Sequence, residues 1–346
     1  MIQRVLVVGG AGYVGSAVTD LLAEAGHEVR VYDCLLWEEE YRKPHAFVRG
    51  DIRDRDRLRA HLAWADAVIW LAALVADGAC ALYPELAVAL NAQSLAWLAR
   101  SYDGRIIFPS TSLAYGVSDG VLTEDAPLHP QTLYQETKVA AERHLAGRAL
   151  VVRLATLFGL ADSMSRPRFD LVPNLFAMHA CTDGVLTVHG GQQFRGFCYV
   201  RDVAKVMADH VATSVTGPFN LCTENERIID LAARVQRHIP STRVDVRPAD
   251  RSATGDVRLD STRARRELGF QPRYTLDDGI QQIRDLVASG RLKDARSPRY
   301  SNEAFLKVHP LSQAFLSPSH SPSHLRGEGE NVGVGSKSRG FADGHQ

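Results

Sequence analysis

The stretch that most constrains this chain is residues 5–15, VLVVGGAGYVG. Its first four residues are apolar, which is long enough for one strand buried within a parallel sheet. Glycines follow at Gly9, Gly12 and Gly15, and apolar residues then recur at helical spacing. A strand, a glycine turn and a helix in this order let a pyrophosphate approach the amides at the helix start. The stretch therefore predicts a dinucleotide-binding βα unit, against the alternative of an ordinary turn with chance glycines.

A second predicted strand, residues 27–32, leads directly into Asp33. A carboxylate at this distance from the glycine turn accepts hydrogen bonds from an adenosine ribose. Its charge would repel a 2′-phosphate, and the next residues, Cys34, Leu35 and Leu36, include no base. The sequence therefore predicts NAD rather than NADP as the cofactor.

Further predicted strands alternate with helices, which is typical of an α/β fold with a parallel, doubly wound sheet. We predict strands at residues 46–48, 67–70, 105–108 and 149–154, and helices at 54–62, 81–100 and from 132. Candidate cofactor contacts follow two of these strands. Asp51 and Ile52 either contact the adenine or begin the next helix as its cap, and the sequence leaves both readings open. After the strand at 67–70, the small residues in Leu71, Ala72 and Ala73 let the nicotinamide side of the cofactor come close to the backbone. Asn91, on the predicted helix at 81–100, is a further candidate cofactor contact.

Bulk properties exclude several classes of function. Forty basic and forty acidic residues among 346 give no sign of a nucleic-acid partner. No apolar run is long enough for a membrane span, and we expect no signal peptide because the first predicted strand follows the start almost at once. Five scattered cysteines without metal-ligand spacing predict reduced thiols, no metal site and a cytoplasmic location.

Candidate catalytic residues follow the predicted strand at 105–108. Thr111 lies at its carboxyl end, where ligands bind in open α/β sheets. Tyr134 and Lys138 are four residues apart on a predicted helix, so their side chains point the same way. An ammonium beside a phenol favours the phenolate and lowers the phenol pKa, as a base working near neutral pH requires. The alternative for such a pair alone is two residues on a surface helix. Here the pair follows a strand that ends in a Ser/Thr cluster on a nucleotide-binding fold, which favours catalysis, and Thr111 could hydrogen-bond to the same substrate hydroxyl.

The pattern changes after residue 160. We predict an NAD-binding domain at 1–160, to which residues near 197–222 return, a substrate-binding lobe over most of 161–295, and a disordered tail at 317–346. Arginines in the lobe could together clamp a diphosphate, although each alone is more often a surface or salt-bridge arginine. They are Arg166, Arg168, Arg195 and Arg258. Predicted strands of this half are 185–188, 194–200, 218–221 and 244–246, and predicted helices are 202–215, 228–239, 261–268 and a last one ending near 288.

Several motifs occur together in a familiar order: GGAGYVG, Asp33, Gly50-Asp51-Ile52, Leu71-Ala72-Ala73, STSLAYG, Tyr134-x-x-x-Lys138, RLATLFG, FRGFCYVRDVA and DVRLD. They resemble the extended short-chain dehydrogenases/reductases of the NAD-dependent epimerase/dehydratase type, which act on nucleotide sugars. The resemblance runs from residue 5 to about 286. It implies a Rossmann-like domain with an interleaved substrate lobe, a retained NAD and a homodimer.

The resemblance also implies roles for individual residues. Tyr134 would be the catalytic base and acid, Lys138 its partner that also holds the nicotinamide ribose, and Thr111 the third catalytic residue. Arg195 and Arg258 would grip the diphosphate of a sugar nucleotide. Further implied substrate contacts are Ser112 and Asn174, and the implied cofactor contacts are Gly9, Gly12, Tyr13, Val14, Gly15, Asp33, Asp51, Ile52, Leu71, Ala72, Ala73, Asn91, Tyr134 and Lys138.

One departure from the family pattern bears on the reaction. Dehydratases of the family resemble one another in an Asp-Glu pair directly after the catalytic threonine, and decarboxylases usually keep the Glu. Ser112 and Leu113 stand there in this chain. Neither transfers a proton at neutral pH, so a nucleotide-sugar epimerase, acting at C4, is favoured. The alternatives are a nucleotide-sugar dehydrogenase or ketosugar reductase and, behind these, a dehydratase, a decarboxylase or a dinucleotide sensor without catalysis.

Overall fold

The computed structural model describes residues 1–249 and 255–316. Residues 1–310 form one compact unit, and residues 311–316 belong to a second. The strands are β1 (Arg4–Val8), β2 (Glu28–Asp33), β3 (Ala46–Arg49), β4 (Ala67–Trp70), β5 (Arg105–Thr111), β6 (Val121–Leu122), β7 (Ala149–Leu154), β8 (Thr156–Phe158), β9 (Val185–His189), β10 (Phe194–Tyr199), β11 (Gly217–Leu221), β12 (Glu224–Arg227), β13 (Arg243–Arg247) and β14 (Arg258–Leu259).

Seven strands form the central sheet in the order β11-β7-β5-β4-β1-β2-β3. All six of its neighbouring pairs are parallel. The order reverses between β1 and β4, and ligands of doubly wound sheets bind at that switch point, outside the carboxyl ends of the strands. The predicted Rossmann-like α/β fold is confirmed.

The helices are α1 (Tyr13–Glu24), α2 (Arg55–Trp64), α3 (Asp77–Leu82), α4 (Pro84–Val88), α5 (Ser94–Ser101), α6 (Leu133–His144), α7 (Val172–Thr182), α8 (Val200–Asp209), α9 (Ile228–His238), α10 (Thr262–Glu267), α11 (Leu276–Ala288), α12 (Asn302–Val308) and α13 (Gln313–Leu316). Short 3-10 turns cover Ser112–Tyr115 and Pro298–Tyr300. In the described part of the chain, no helix has the length and apolar character that crossing a membrane requires.

The single helix predicted at 81–100 is wrong. The chain forms α3, α4, a π-helical turn at Ala89–Gln93 and then α5. Pro84 starts α4 because proline has no N–H to donate to the preceding turn and suits the first helical position. The helix predicted at 202–215 ends at Asp209, before a run rich in β-branched residues that lose side-chain freedom in helices.

The second half of the chain contains three small sheets, β12-β10-β8, β13-β9 and β14-β6. Aromatic and aliphatic side chains around Phe158, Phe197 and Tyr199 form a core of their own there, separate from the core beneath the central sheet. Strand β11 returns to the edge of the central sheet, beside β7. The domain boundary at residue 160 stays a prediction, and the predicted tail at 317–346 lies outside the described residues.

Candidate active site

The glycine turn between β1 and α1 is closed by contacts that exclude side chains. Gly9 has φ of +85°, and a Cβ there would lie 2.8 Å from the Cα atom of Ala72. A Cβ on Gly15 would lie 2.6 Å from the Cα of Gly10. Gly12 caps α1, so the first amides of that helix point to the carboxyl edge of the sheet. This backbone cradle fits the pyrophosphate of a dinucleotide, whose charge the helix terminus favours.

Asp33 ends β2 beside this turn. Its carboxylate accepts hydrogen bonds from the amides of Ala11 at 3.0 Å and Leu35 at 2.8 Å. Burial raises the pKa of the Asp33 carboxyl, and these backbone hydrogen bonds oppose the rise. An acceptor held in this way at the edge of the glycine turn suits the hydroxyl groups of an adenosine ribose.

The other residues expected at the adenosine end have identifiable partners. The Asp51 carboxylate pairs with the Arg53 guanidinium at 2.6 Å. Asp54, not Asp51, caps α2, so the cap reading of Asp51 is wrong, while a contact of Asp51 and Ile52 with adenine stays a prediction. Tyr13 is buried, and its hydroxyl donates to the Gly159 carbonyl at 2.7 Å. Val14 is partly buried and packs on the core beneath the sheet.

The segment after β4 is held from two sides. The amides of Leu71 and Ala72 donate to the Val8 carbonyl at 2.7 and 2.9 Å, and Ala73 follows, half-buried. Asn91, in the π-helical turn, accepts from the Leu74 amide at 2.8 Å and donates to its carbonyl at 2.9 Å. These contacts make Asn91 a support of the segment; its direct contact with the cofactor stays a prediction.

The structure brings the three predicted catalytic residues to the same sheet edge. Thr111 is the last residue of β5, and its hydroxyl accepts from the Leu113 amide at 3.2 Å. Ser112 follows, buried, in the 3-10 turn. Tyr134 and Lys138 lie on α6, which begins after Thr132 because the threonine hydroxyl accepts from the Gln135 amide.

Lys138 is 4% exposed and lies under the end of β5. Its Nζ donates to the Pro109 carbonyl at 2.7 Å and lies 4.4 Å from the centre of the Phe108 ring. Burial lowers the pKa of Lys138 to about 8, and Glu142 and Cys80 oppose that change.

The expected lowering of the Tyr134 pKa by Lys138 is not found. Burial raises the pKa of the Tyr134 phenol, with the Cys80 thiol and the Asp77 carboxylate acting in the same direction. The positive charge of Arg168 opposes this rise in the Tyr134 pKa, and the Lys138 ammonium donates to the Pro109 carbonyl. Sequence spacing places the phenol and the ammonium on one helix face, but it does not decide which partner the flexible lysine takes.

The predicted substrate residues fall into two groups. Asn174 is buried; its amide accepts from the Gly159 amide at 2.8 Å and donates to the Arg168 carbonyl at 2.9 Å, so it supports the loop between β8 and α7. Arg195 and Arg258 lie close together, since residue 195 forms a bridge with residue 257. The Nε of Arg258 lies 3.5 Å from the Asp256 carboxylate, and Nη1 of Arg195 donates to the carbonyls of Phe194 and Gly255 at 2.8 and 2.7 Å. The contacts of these residues with substrate stay predictions.

Comparison with known proteins decides the family. A model described as the NAD dependent epimerase/dehydratase family matches residues 5–222, more than half of the chain. The chain belongs to the NAD-dependent epimerase/dehydratase family. The resemblance read from the motifs is confirmed, and so is NAD as the cofactor. Across residues 1–249 and 255–316, no three His, Cys, Asp or Glu side chains are grouped to hold a metal ion.

Relatives of this epimerase/dehydratase family member differ in their reactions. A UDP-glucose 4-epimerase from Lactobacillus helveticus is 30% identical over 318 residues, covering 80% of this chain and 95% of the relative. A UDP-glucuronic acid decarboxylase 1 from Danio rerio is 26% identical over 298 residues, covering 81% and 71%. The fold is similar to that of a UDP-glucose 4-epimerase from Thermotoga maritima solved with UDP-glucose, with a TM-score of 0.73, 23% identity and coverage of 83% and 99%.

Proposed function

We propose that this protein is an NAD-dependent nucleotide-sugar epimerase that inverts C4 of the sugar. The Tyr134 phenolate takes the proton of the C4 hydroxyl, and the Thr111 hydroxyl hydrogen-bonds to the same oxygen. NAD, when bound, would supply the hydride acceptor and donor for C4. The ketosugar turns over within the site, so that the hydride would return to the opposite face of C4 while Tyr134 gives its proton back to the C4 oxygen. The chain itself contributes two things. It holds these groups together at one edge of the sheet, and it transfers the proton, which is worth about 10²–10⁴-fold in rate.

The observation that carries this proposal is that the two residues directly after Thr111 carry no carboxylate. Ser112 and Leu113 occupy the turn where a dehydratase needs an acid and a base. Asp77, which acts on the Tyr134 phenol, accepts a hydrogen bond from the Thr132 hydroxyl at 2.5 Å. Epimerisation requires no further acid, so these residues are sufficient for it.

Three further assignments belong to the same proposal. Arg195 and Arg258 hold the diphosphate of the nucleotide sugar, supported by the family resemblance and by the bridge between residues 195 and 257 that brings the two arginines together. The active form is a homodimer, on the strength of the family resemblance. The protein works in the cytoplasm, supported by its five free cysteines.

The test is incubation of the purified protein, without added cofactor, with UDP-, GDP-, dTDP-, CDP- and ADP-sugars, followed by NMR. We expect a C4 epimer of unchanged mass from at least one sugar. Turnover only with stoichiometric NAD or NADH would instead show a dehydrogenase or ketosugar reductase. Loss of water or of CO₂ would show a dehydratase or a decarboxylase.

Replacing the phenol tests the catalytic assignment. Tyr134→Phe should abolish turnover while NAD stays bound, because only the titrating oxygen is removed. Tyr102→Phe is the matched control, since its buried hydroxyl donates to the Ala65 carbonyl at the opposite end of the sheet. Full activity of Tyr134→Phe would contradict the assignment.

A further inference from the structure

Residues 298–308 contact the loops that follow three different strands. This segment contains the 3-10 turn Pro298–Tyr300 and helix α12, and we call it the strap. It lies beyond residue 222, where the match to the family model ends. The loops that it contacts are those after β2, β4 and β8, at the carboxyl ends of these strands.

The loop after β2 is bound through an aromatic contact and an ion pair. The rings of Trp37 and Phe305 meet edge to face, with their centroids 5.6 Å apart. The Arg299 guanidinium lies 2.9 Å from the Glu39 carboxylate. Trp37 comes four residues after Asp33, the predicted acceptor for the adenosine ribose. The strap therefore holds the loop that begins at the predicted adenosine end of the cofactor site.

The loop after β4 is bound through a buried asparagine. Asn302 is 2% exposed, and its side-chain nitrogen donates to the Val75 carbonyl at 3.1 Å. A Cβ on Gly78 would overlap the Glu303 carboxylate, so α12 lies directly against α3. Ala76, between these contacts, has φ of +93°, a conformation that a residue with a Cβ keeps only where its surroundings hold it. The strap is one of the contacts that hold this loop in place.

The loop after β8 is bound to the same asparagine. The amide N–H of Asn302 donates to Oδ2 of Asp170 at 2.8 Å, and its side-chain oxygen accepts from Nη2 of Arg166 at 2.5 Å. The Phe169 amide donates to the Tyr300 carbonyl at 2.8 Å. Asn302 therefore joins the loop after β8 to the loop after β4.

The order of the strands places these contacts on both sides of the glycine turn. Strand β1 lies between β4 and β2 in the central sheet. Neighbouring strands are about 4.8 Å apart, so the strap spans about 10 Å to reach the loops after β4 and β2. The glycine turn at the end of β1 lies in that interval, and ligands of doubly wound sheets bind outside it. A dinucleotide bound there would be enclosed between the glycine turn and the loops that the strap joins.

We propose that the strap closes the cofactor cleft, so that NAD enters and leaves only when Asn302 and Phe305 release the loops after β4 and β2. Asn302 is the central positioning residue of this closure, because its hydrogen bonds join two walls of the cleft. This inference goes beyond the proposed function and rests only on NAD as the cofactor. It holds whichever reaction the site performs.

The first test is the rate at which the full-length protein, loaded with radiolabelled NAD, loses its label to an excess of unlabelled NAD. Asn302→Ala and Phe305→Ala should each lose the label about tenfold faster than wild type, because each removes one attachment of the closed strap. Phe305→Ala serves alone if Asn302→Ala does not fold. Val308→Ala is the matched control, since this residue of α12 is 58% exposed. Val235→Ala, in the separate core of the second half, controls for general destabilisation. Unchanged rates in the strap variants, or an equal increase with Val235→Ala, would overturn the proposal.

The second test locks the strap with a disulfide. Cγ of Glu303, the atom that a cysteine sulfur would replace, lies 2.8 Å from a Cβ built on Gly78, within reach of a disulfide. Loaded with NAD and oxidised, the full-length Gly78→Cys/Glu303→Cys protein should release the label at least tenfold more slowly than after reduction with dithiothreitol. Each single cysteine variant, treated alike, should show no such difference. Equal rates for the oxidised and reduced double variant, with the disulfide verified by mass spectrometry, would refute the closure. Slower release in a protein that removes water from its sugar would leave this inference intact and refute the proposed function.

Discussion

Replacing Lys138 with methionine should abolish activity and yet leave the free energy of unfolding at neutral pH unchanged or higher. The ammonium is buried under β5, and its recorded partners are the Pro109 carbonyl at 2.7 Å and the face of the Phe108 ring. Methionine has a similar length and no charge, so it fills the same space without the cost of burying an ion.

The magnitude follows from the pKa of Lys138. Burial lowers it from the ordinary 10.5 to about 8. At about 1.4 kcal/mol for each pH unit, the charged lysine costs the folded state about 3 kcal/mol at neutral pH. The variant recovers this amount but leaves the Pro109 carbonyl without its donor, which costs about 1–3 kcal/mol. The expected net change is between zero and about 2 kcal/mol of added stability.

The pH dependence has a definite sign. Between pH 8 and 10.5 the unfolded wild-type chain binds more protons at this lysine than the folded protein does, so wild-type stability rises with pH relative to the variant. From neutral pH to about pH 9.5 the difference should move by about 2 kcal/mol in favour of wild type.

The assay is urea unfolding of both proteins, stripped of nucleotide, at the two pH values. Lys205→Met, which removes an exposed lysine of α8, controls for the loss of any positive charge. A difference between wild type and Lys138→Met that is the same at both pH values would refute the reasoning, whatever its size.

Three further variants test the cofactor cradle and the core. Gly9→Ala should abolish NAD binding in calorimetry, because its Cβ meets backbone, whereas Gly26→Ala, with φ of +82° and open space, should keep it. Asp33→Ala should weaken the Kd for NAD about tenfold to a hundredfold, the value of one charged hydrogen bond, and an unchanged Kd would contradict the ribose role. Arg153→Met leaves Glu142 buried without its 2.7 Å partner and should lower the free energy of unfolding in urea by about 3–5 kcal/mol; a loss below about 1 kcal/mol would show that the pair is not needed.

Prediction from the sequence was most accurate for the central sheet. The strands expected at 5–8, 67–70 and 149–154 are present, because parallel strands buried on both faces are continuous apolar runs that a sequence displays directly. The missed elements have no such pattern. The π-helical turn at Ala89–Gln93 places Asn91 against Leu74, a partner from another part of the chain. Helix α12 is short, and its anchors on Asp170 and Val75 are equally remote in sequence.

The sequence by itself determined the family, the cofactor, the main strands of the central sheet, and the spacing that sets Tyr134 and Lys138 one turn apart. These features depend on local hydrogen bonding and on the spacing of apolar residues, and both are set by residues close together in the sequence. Only the tertiary structure decided that Lys138 donates to a carbonyl of β5 and that Asn91 holds the segment after β4. Those arrangements depend on long-range contacts, such as the bond between Asn302 and Val75, which joins positions 227 residues apart. A contact between residues so far apart in sequence forms only when the whole chain is folded.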